Sequence, residues 1–257
     1  GDGLLTSFLP LSRRLDSGRP VYALPFPDME RRELPYRIEE LAANNVRQMR
    51  ERQPEGPYFL AGFCFGGLVA LEMARQLERQ GERVQLLAMI DTFNHAWMRA
   101  LPWNSRIGNG FVNIGRRMRF HWRNLAGDGS LGTLYLRQRV AALCKQAWER
   151  IAQIAYEFRV GMPRPLPELL RRMIYATRYA EKLYRCQPYA GDVLLIRATH
   201  PRAGVFRAPQ MGWKGLLKGR VDILEVEAEH QGLLAEPAVE TVALHLDERL
   251  AREAVGR

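Results

Sequence analysis

Five short apolar runs constrain this chain more than any other feature of its sequence. They are Pro20-Val21-Tyr22-Ala23-Leu24, Pro57-Tyr58-Phe59-Leu60-Ala61-Gly62, Val84 to Ile90 (interrupted only by Gln85), Asp192-Val193-Leu194-Leu195-Ile196 and Val221-Asp222-Ile223-Leu224-Glu225-Val226. Near-continuous apolar strands are strands buried on both faces, as in a parallel sheet covered by helices. The last run alternates, as a strand nearer the sheet edge does. Helical patterns follow several of the runs: Ile38 to Arg52, Leu68 to Gln80 with Val69, Met73 and Leu77 on one face and Gly81 as its stop, and a final helix striped by Val239, Val242, Ala243, Leu246 and Leu250. Strand–helix alternation predicts a doubly wound α/β domain. At 257 residues and 47% hydrophobic content the chain supports a full core and is not a disordered one. Three cysteines cannot staple a chain of this length, and no run nears the ~18 apolar residues of a membrane span.

Residues 95–185 interrupt the alternation. They read mostly as helix, over 134–158 and 166–184, with breaks at Gly127-Asp128-Gly129 and Met162-Pro163-Arg164-Pro165. Here 15 Arg and 2 Lys face 5 acids, a net +12 against −2 for the rest of the chain. The predicted division is a first part of the core at 1–94, a helical lid at 95–185 and a second part of the core at 186–257. Excess positive charge in one segment fits a basic face for an anionic ligand or acidic protein as well as a solvated helical surface. Nucleic-acid binding would rest on charge alone, so neither a nucleic acid nor a membrane is the expected partner. The chain opens at Gly1-Asp2-Gly3 with neither an initiator methionine nor a signal-peptide pattern, so it reads as a piece of a longer polypeptide whose expected compartment is the cytoplasm.

Gly62-Phe63-Cys64-Phe65-Gly66-Gly67 carries the chemistry. A strand ends at Gly62 and a helix begins near Gly66, which is the context of a nucleophile elbow with Cys in place of Ser. The turn is sharp, so small residues are expected at 62, 66 and 67. It lifts the side chain above the sheet at a helix N-terminus, whose dipole favours an anion. The backbone N–H of Phe65 is then placed for an oxyanion hole. Cys144 and Cys186 lack such a context and are expected to be packing residues. No Cys/His spacing indicates a metal site.

A thiol nucleophile needs a base and an orienter. His230 follows the last strand, where α/β active sites collect. Asp91 ends the strand Leu86 to Ile90 at the same sheet edge. His95, His121, His200 and His245 are read as surface or packing residues. The resulting chain order is Cys64, Asp91, His230: nucleophile, acid, histidine, as in α/β-hydrolases.

The stretch from Gly56 to Leu77 resembles the elbow of type I thioesterase domains from nonribosomal peptide and polyketide synthases. Leu87-Ala88-Met89-Ile90-Asp91 resembles that family's acid-bearing strand, Gln187-Pro188-Tyr189-Ala190-Gly191 its restart after the lid, and Gly212-Trp213 with Glu229-His230 its closing part. The resemblance covers almost the whole chain outside 95–185. It implies an α/β-hydrolase fold and a thioesterase with a Cys64–His230–Asp91 triad. Such an enzyme takes an acyl or peptidyl chain from the phosphopantetheine arm of an upstream carrier domain and binds no cofactor of its own. Three departures stand out: Cys64 replaces the usual Ser, the family's first strand and glycine-bearing loop are mostly missing, and the lid is rich in arginine. Gly1 reads as the tail of that loop and so as a candidate second oxyanion donor. Members with a Cys nucleophile are associated with four-membered lactone and lactam closure, so release is expected by hydrolysis or by cyclisation, strained rings included. The rival readings are a dienelactone-hydrolase-like cysteine hydrolase and a non-catalytic acyl-carrier-binding module.

Overall fold

The computed structural model describes residues 5–16, 18–25, 37–100, 129–160, 162, 166–200 and 209–255. Among the described residues four strands form one parallel sheet in the order β1 (Tyr58–Phe63), β2 (Val84–Ile90), β3 (Val193–His200), β4 (Val221–Glu229). In β2, Leu87 and Met89 point into one core, and Leu86, Ala88 and Ile90 into the other. In β3, Val193 and Leu195 join the first core, and Leu194, Ile196 and Ala198 the second. Burial on both faces is why these runs are apolar at successive residues. β4 is half exposed along its length, which matches its alternating pattern and its place at the sheet edge.

Helices α1 (Leu9–Arg14), α2 (Ile38–Arg52) and α3 (Phe65–Arg79) supply the first layers. α2 and α3 cover one face, and α2 carries Glu39 and Glu40 in its first turn and Arg50 and Arg52 in its last, complementing its dipole. α1 and the last helix cover the other face.

Between β2 and β3 the described chain is helical: α4 (His95–Ala100), α5 (Gly129–Arg159), a 3₁₀ turn (Glu168–Leu170) and α6 (Met173–Leu183). The last helix is α7 (Ala238–Val255). Gly129, read as part of a break, is the first described residue of α5 and is helical, while 127–128 and 163–165 lie outside the described residues. α5 packs on α6 through Ala152 and Tyr156, but Val140, Leu143, Trp148, Ile151, Ile154 and Phe158 stand exposed on it.

Three expectations are corrected. Residues 20–24 form no strand: Val21 and Tyr22 are exposed and the segment pairs with no strand among the described residues. A helix over 166–184 is not continuous: the Pro167 carbonyl accepts from Leu170 at 2.8 Å in a tight 3₁₀ turn, and extended backbone at Arg172 (φ −101°, ψ 131°) separates that turn from α6. Cys144 is exposed on α5 and is not a packing residue.

Candidate active site

Cys64 sits between β1 and α3 with φ 54° and ψ −119°, a backbone region costly for a residue with a Cβ. Its N–H donates to the Ile90 carbonyl at 2.8 Å, and its carbonyl accepts from the Gly67 N–H at 3.1 Å. A Cβ at Gly62 would collide with the Gly66 carbonyl, and one at Gly67 with the Thr92 hydroxyl. Two of the three small residues are therefore required by crowding. Gly66 faces open space, so its smallness has no such cause. Phe65 is the first residue of α3, directly after the thiol.

β2 and β3 fix the acid. Asp91, also at positive φ (43°), donates its N–H to the Ile196 carbonyl at 2.6 Å, and its Oδ1 accepts from the Ala198 N–H at 3.2 Å. Its Oδ2 meets Nδ1 of His230 at 2.5 Å. His230 is buried directly after β4, with its ring 4.6 Å from that of Phe63, the residue before Cys64. Nε2 is the ring nitrogen on the side away from the carboxylate. Cys64, Asp91 and His230 thus follow β1, β2 and β4 at one edge of the sheet, and the acid–imidazole pair is in direct contact.

The other candidates fall elsewhere. His95 and His200 are exposed, and His245 bonds through Nδ1 to the Thr241 carbonyl within α7. His121 and Gly1 lie outside the described residues. Cys186 is half buried, and burial pushes its thiol up to about 11, so it stays protonated at neutral pH. Among the described residues no group of three or more His, Cys, Asp or Glu is placed to hold a metal ion, and no helix is long and apolar enough to cross a membrane.

Several residues at the site were not singled out from sequence. Thr92 is fully buried, and its hydroxyl lies 3.1 Å from the Cys64 carbonyl and 3.2 Å from that of Ile90. Its own carbonyl accepts from the Trp213 indole at 2.8 Å. Asn94 donates to the Gly212 carbonyl at 3.0 Å and accepts from the Ala96 and Trp97 N–H groups, capping α4. Glu72, buried on α3, accepts from Arg75, from Arg79 at 3.0 Å, from Gln76 at 3.2 Å and from the Tyr184 hydroxyl at 2.8 Å. Burial opposes the Arg75 cation, but Glu72 and Tyr184 outweigh it and hold it more firmly protonated. A small open pocket is lined by Leu68, Asn94, His95, Glu181 and Tyr184. Burial pushes the Glu181 carboxyl up to about 7, against the pull of Arg178 and Arg99.

Residues 1–102 match the family model described as thioesterase domain. Over that stretch the chain is similar to thioesterase domains. Over 91 residues (35% of this chain) it is 43% identical to malpinin synthetase of Mortierella alpina, and over 95 residues (36%) it is 40% identical to a dimodular nonribosomal peptide synthase of Bacillus subtilis. The matches span 1% and 4% of those two proteins, so the domain corresponds to a small part of each. Its fold is similar to that of the NocB thioesterase domain in covalent complex with a fluorophosphonate nocardicin G analog, at TM-score 0.61 and 23% identity over 97% of this chain and 90% of that one. The chain thus has an α/β-hydrolase fold, as the resemblance implied.

Proposed function

We propose that the domain releases an acyl or peptidyl chain from a carrier-protein phosphopantetheine thiol by way of a thioester on Cys64. His230 serves as general base and acid, Asp91 as its orienter, and the Phe65 N–H as an oxyanion donor. The observation that carries this reading is the 2.5 Å contact between Asp91 and His230 Nδ1, made at the sheet edge that also holds the Cys64 elbow. Nε2 of His230 takes the thiol proton as sulfur attacks the carrier thioester carbonyl. The oxyanion collapses, the carbon–sulfur bond to the carrier breaks, and the carrier thiol leaves with the proton from His230. Water, or a nucleophile within the chain, then gives its proton to Nε2, attacks the Cys64 thioester and releases the product with the thiol restored. A thioester on Cys64 lies near the energy of the carrier thioester, so acylation is close to thermoneutral and the second step keeps its driving force. That suits closure of a strained lactam or lactone as well as hydrolysis. Intact-mass measurement after incubation with an acyl thioester tests the reading: wild type and Cys144→Ala gain one acyl mass and Cys64→Ala gains none. Acylation retained in Cys64→Ala overturns it.

Residues 95–185 act in this reading as a lid whose basic face meets an acidic carrier. Arg99, Arg150, Arg171, Arg172 and Arg185, all exposed, support it. Such steering acts over about a Debye length, ~8 Å at physiological salt. Across a salt series kcat/KM therefore falls steeply for a carrier-bound substrate and stays flat for a small soluble thioester. Flat profiles for both leave the arginines as a solvated surface.

A further inference from the structure

We infer that Thr92 is a positioning residue that aims the oxyanion donor. The inference rests on the reading of Cys64 as nucleophile and the Phe65 N–H as donor. The peptide joining Cys64 to Phe65 is planar, so its C=O and N–H point in opposite directions and a grip on one fixes the other. The Thr92 hydroxyl is that grip, sharing its proton between the Cys64 carbonyl at 3.1 Å and the Ile90 carbonyl at 3.2 Å. Ile90 in turn takes the Cys64 N–H at 2.8 Å. Both backbone polar groups of the nucleophile are therefore tied to the end of β2.

This tie matches a need. A residue with a Cβ at φ 54° and ψ −119° persists only where its surroundings over-determine it. Thr92 is itself immobilised: it is fully buried, its carbonyl is bonded to the buried Trp213 indole, and its hydroxyl occupies the space that a Cβ on Gly67 would need. Donation to the Cys64 carbonyl also polarises the same amide, so the Phe65 N–H becomes a stronger donor toward a developing oxyanion. Because Thr92 follows Asp91 directly, one strand end sets both the acid that orients the imidazole and the clamp that orients the amide.

The test separates thiol reactivity from oxyanion stabilisation. Alkylation by iodoacetamide needs the thiol but forms no oxyanion, whereas acylation by a small N-acetylcysteamine thioester needs both. Thr92→Val keeps the shape and removes the donor, and Thr92→Ser keeps the donor. In Thr92→Val, acylation slows at least tenfold with KM within twofold, while alkylation of Cys64 stays within twofold of wild type. Thr92→Ser restores acylation to within threefold. The inference is overturned if acylation and alkylation fall together, if Thr92→Val acylates like wild type, or if Thr92→Ser is as slow as Thr92→Val. A wild-type domain that alkylates but never acylates fails earlier, on the catalytic reading itself, before any Thr92 variant is compared.

Discussion

Helices α3 and α5 both carry apolar residues at helical spacing, and they come to opposite ends. α3 is covered along most of its length, down to the carboxylate of Glu72, because α2, the sheet and Tyr184 all press on it. α5 buries Ala152 and Tyr156 and leaves Trp148, Ile154 and Phe158 in the open. Periodicity tells that a helix has an apolar face, and the neighbours decide whether that face becomes core. In the proposed reading the chemistry falls beside the covered helix: Cys64, with its strained backbone, directly precedes the first turn of α3, where small errors in position are costly to a reaction.

The largest expected effect tests the covered side. His230→Ala should lower thioester turnover by several orders of magnitude, because members of a triad act as a unit. Asp91→Asn should cost less, since a thiol leans less on its base than a hydroxyl does. Steady-state rates on one acyl thioester decide this, and a turnover unchanged in His230→Ala breaks the assignment. Next comes Glu72→Ala, which leaves the Arg75 guanidinium without its buried partner. Such a loss costs about 3 kcal/mol, roughly 6–12 °C in melting temperature for a chain of this size. A drop no larger than that of a surface mutation would show that α3 owes its order to apolar contacts alone.

Glu181, on α6, sharpens the comparison through pH. Its folded-state value of about 7 lies above that of an unfolded carboxyl, so the folded chain holds a proton that the unfolded chain has released. Stability on this account is highest in acid and falls as pH rises toward and through about 7. Glu181→Gln removes that dependence. Melting temperatures should coincide near pH 4 and favour the variant at pH 8; equal pH profiles contradict it. The smallest effect belongs to the open face: Phe158→Ser should shift stability by no more than about 0.5 kcal/mol in denaturant titration. A loss of 2 kcal/mol or more would mean that this face is covered in solution.

Much of this architecture was readable in advance where one local rule dominates. β2 and α2 have the bounds that their patterns predicted, the first because both faces of the strand are buried, the second because its charges mark its ends. The elbow was readable in part because the glycine at 62 answers to crowding by Gly66 and Gly67 a few residues on, whereas the glycine at 67 answers to Thr92, remote in sequence. Asp91 and His230 could be proposed from their places at strand ends, but their contact spans 139 residues and no spacing encodes it. Thr92 and Glu72 stayed hidden for the same reason, since each is explained by partners remote in sequence: Cys64 lies 28 residues from Thr92, and Tyr184 lies 112 from Glu72. Val21 and Tyr22 misled because an apolar run says nothing about whether a neighbouring strand is there to pair with it.

The bolts on either side of the helical insertion have a consequence for how such domains diversify. Asn94 is fastened to Gly212 where the chain leaves the core, and Tyr184 to Glu72 where it comes back. The segment is thus fastened at both ends by residues other than Cys64, Asp91 and His230. Closing a longer loop is entropically cheap, about 0.6 kcal/mol for each doubling of its length. Sequence, length and charge in that stretch can therefore drift, or be exchanged whole by grafting, while the spacing of thiol, imidazole and carboxylate is inherited unchanged.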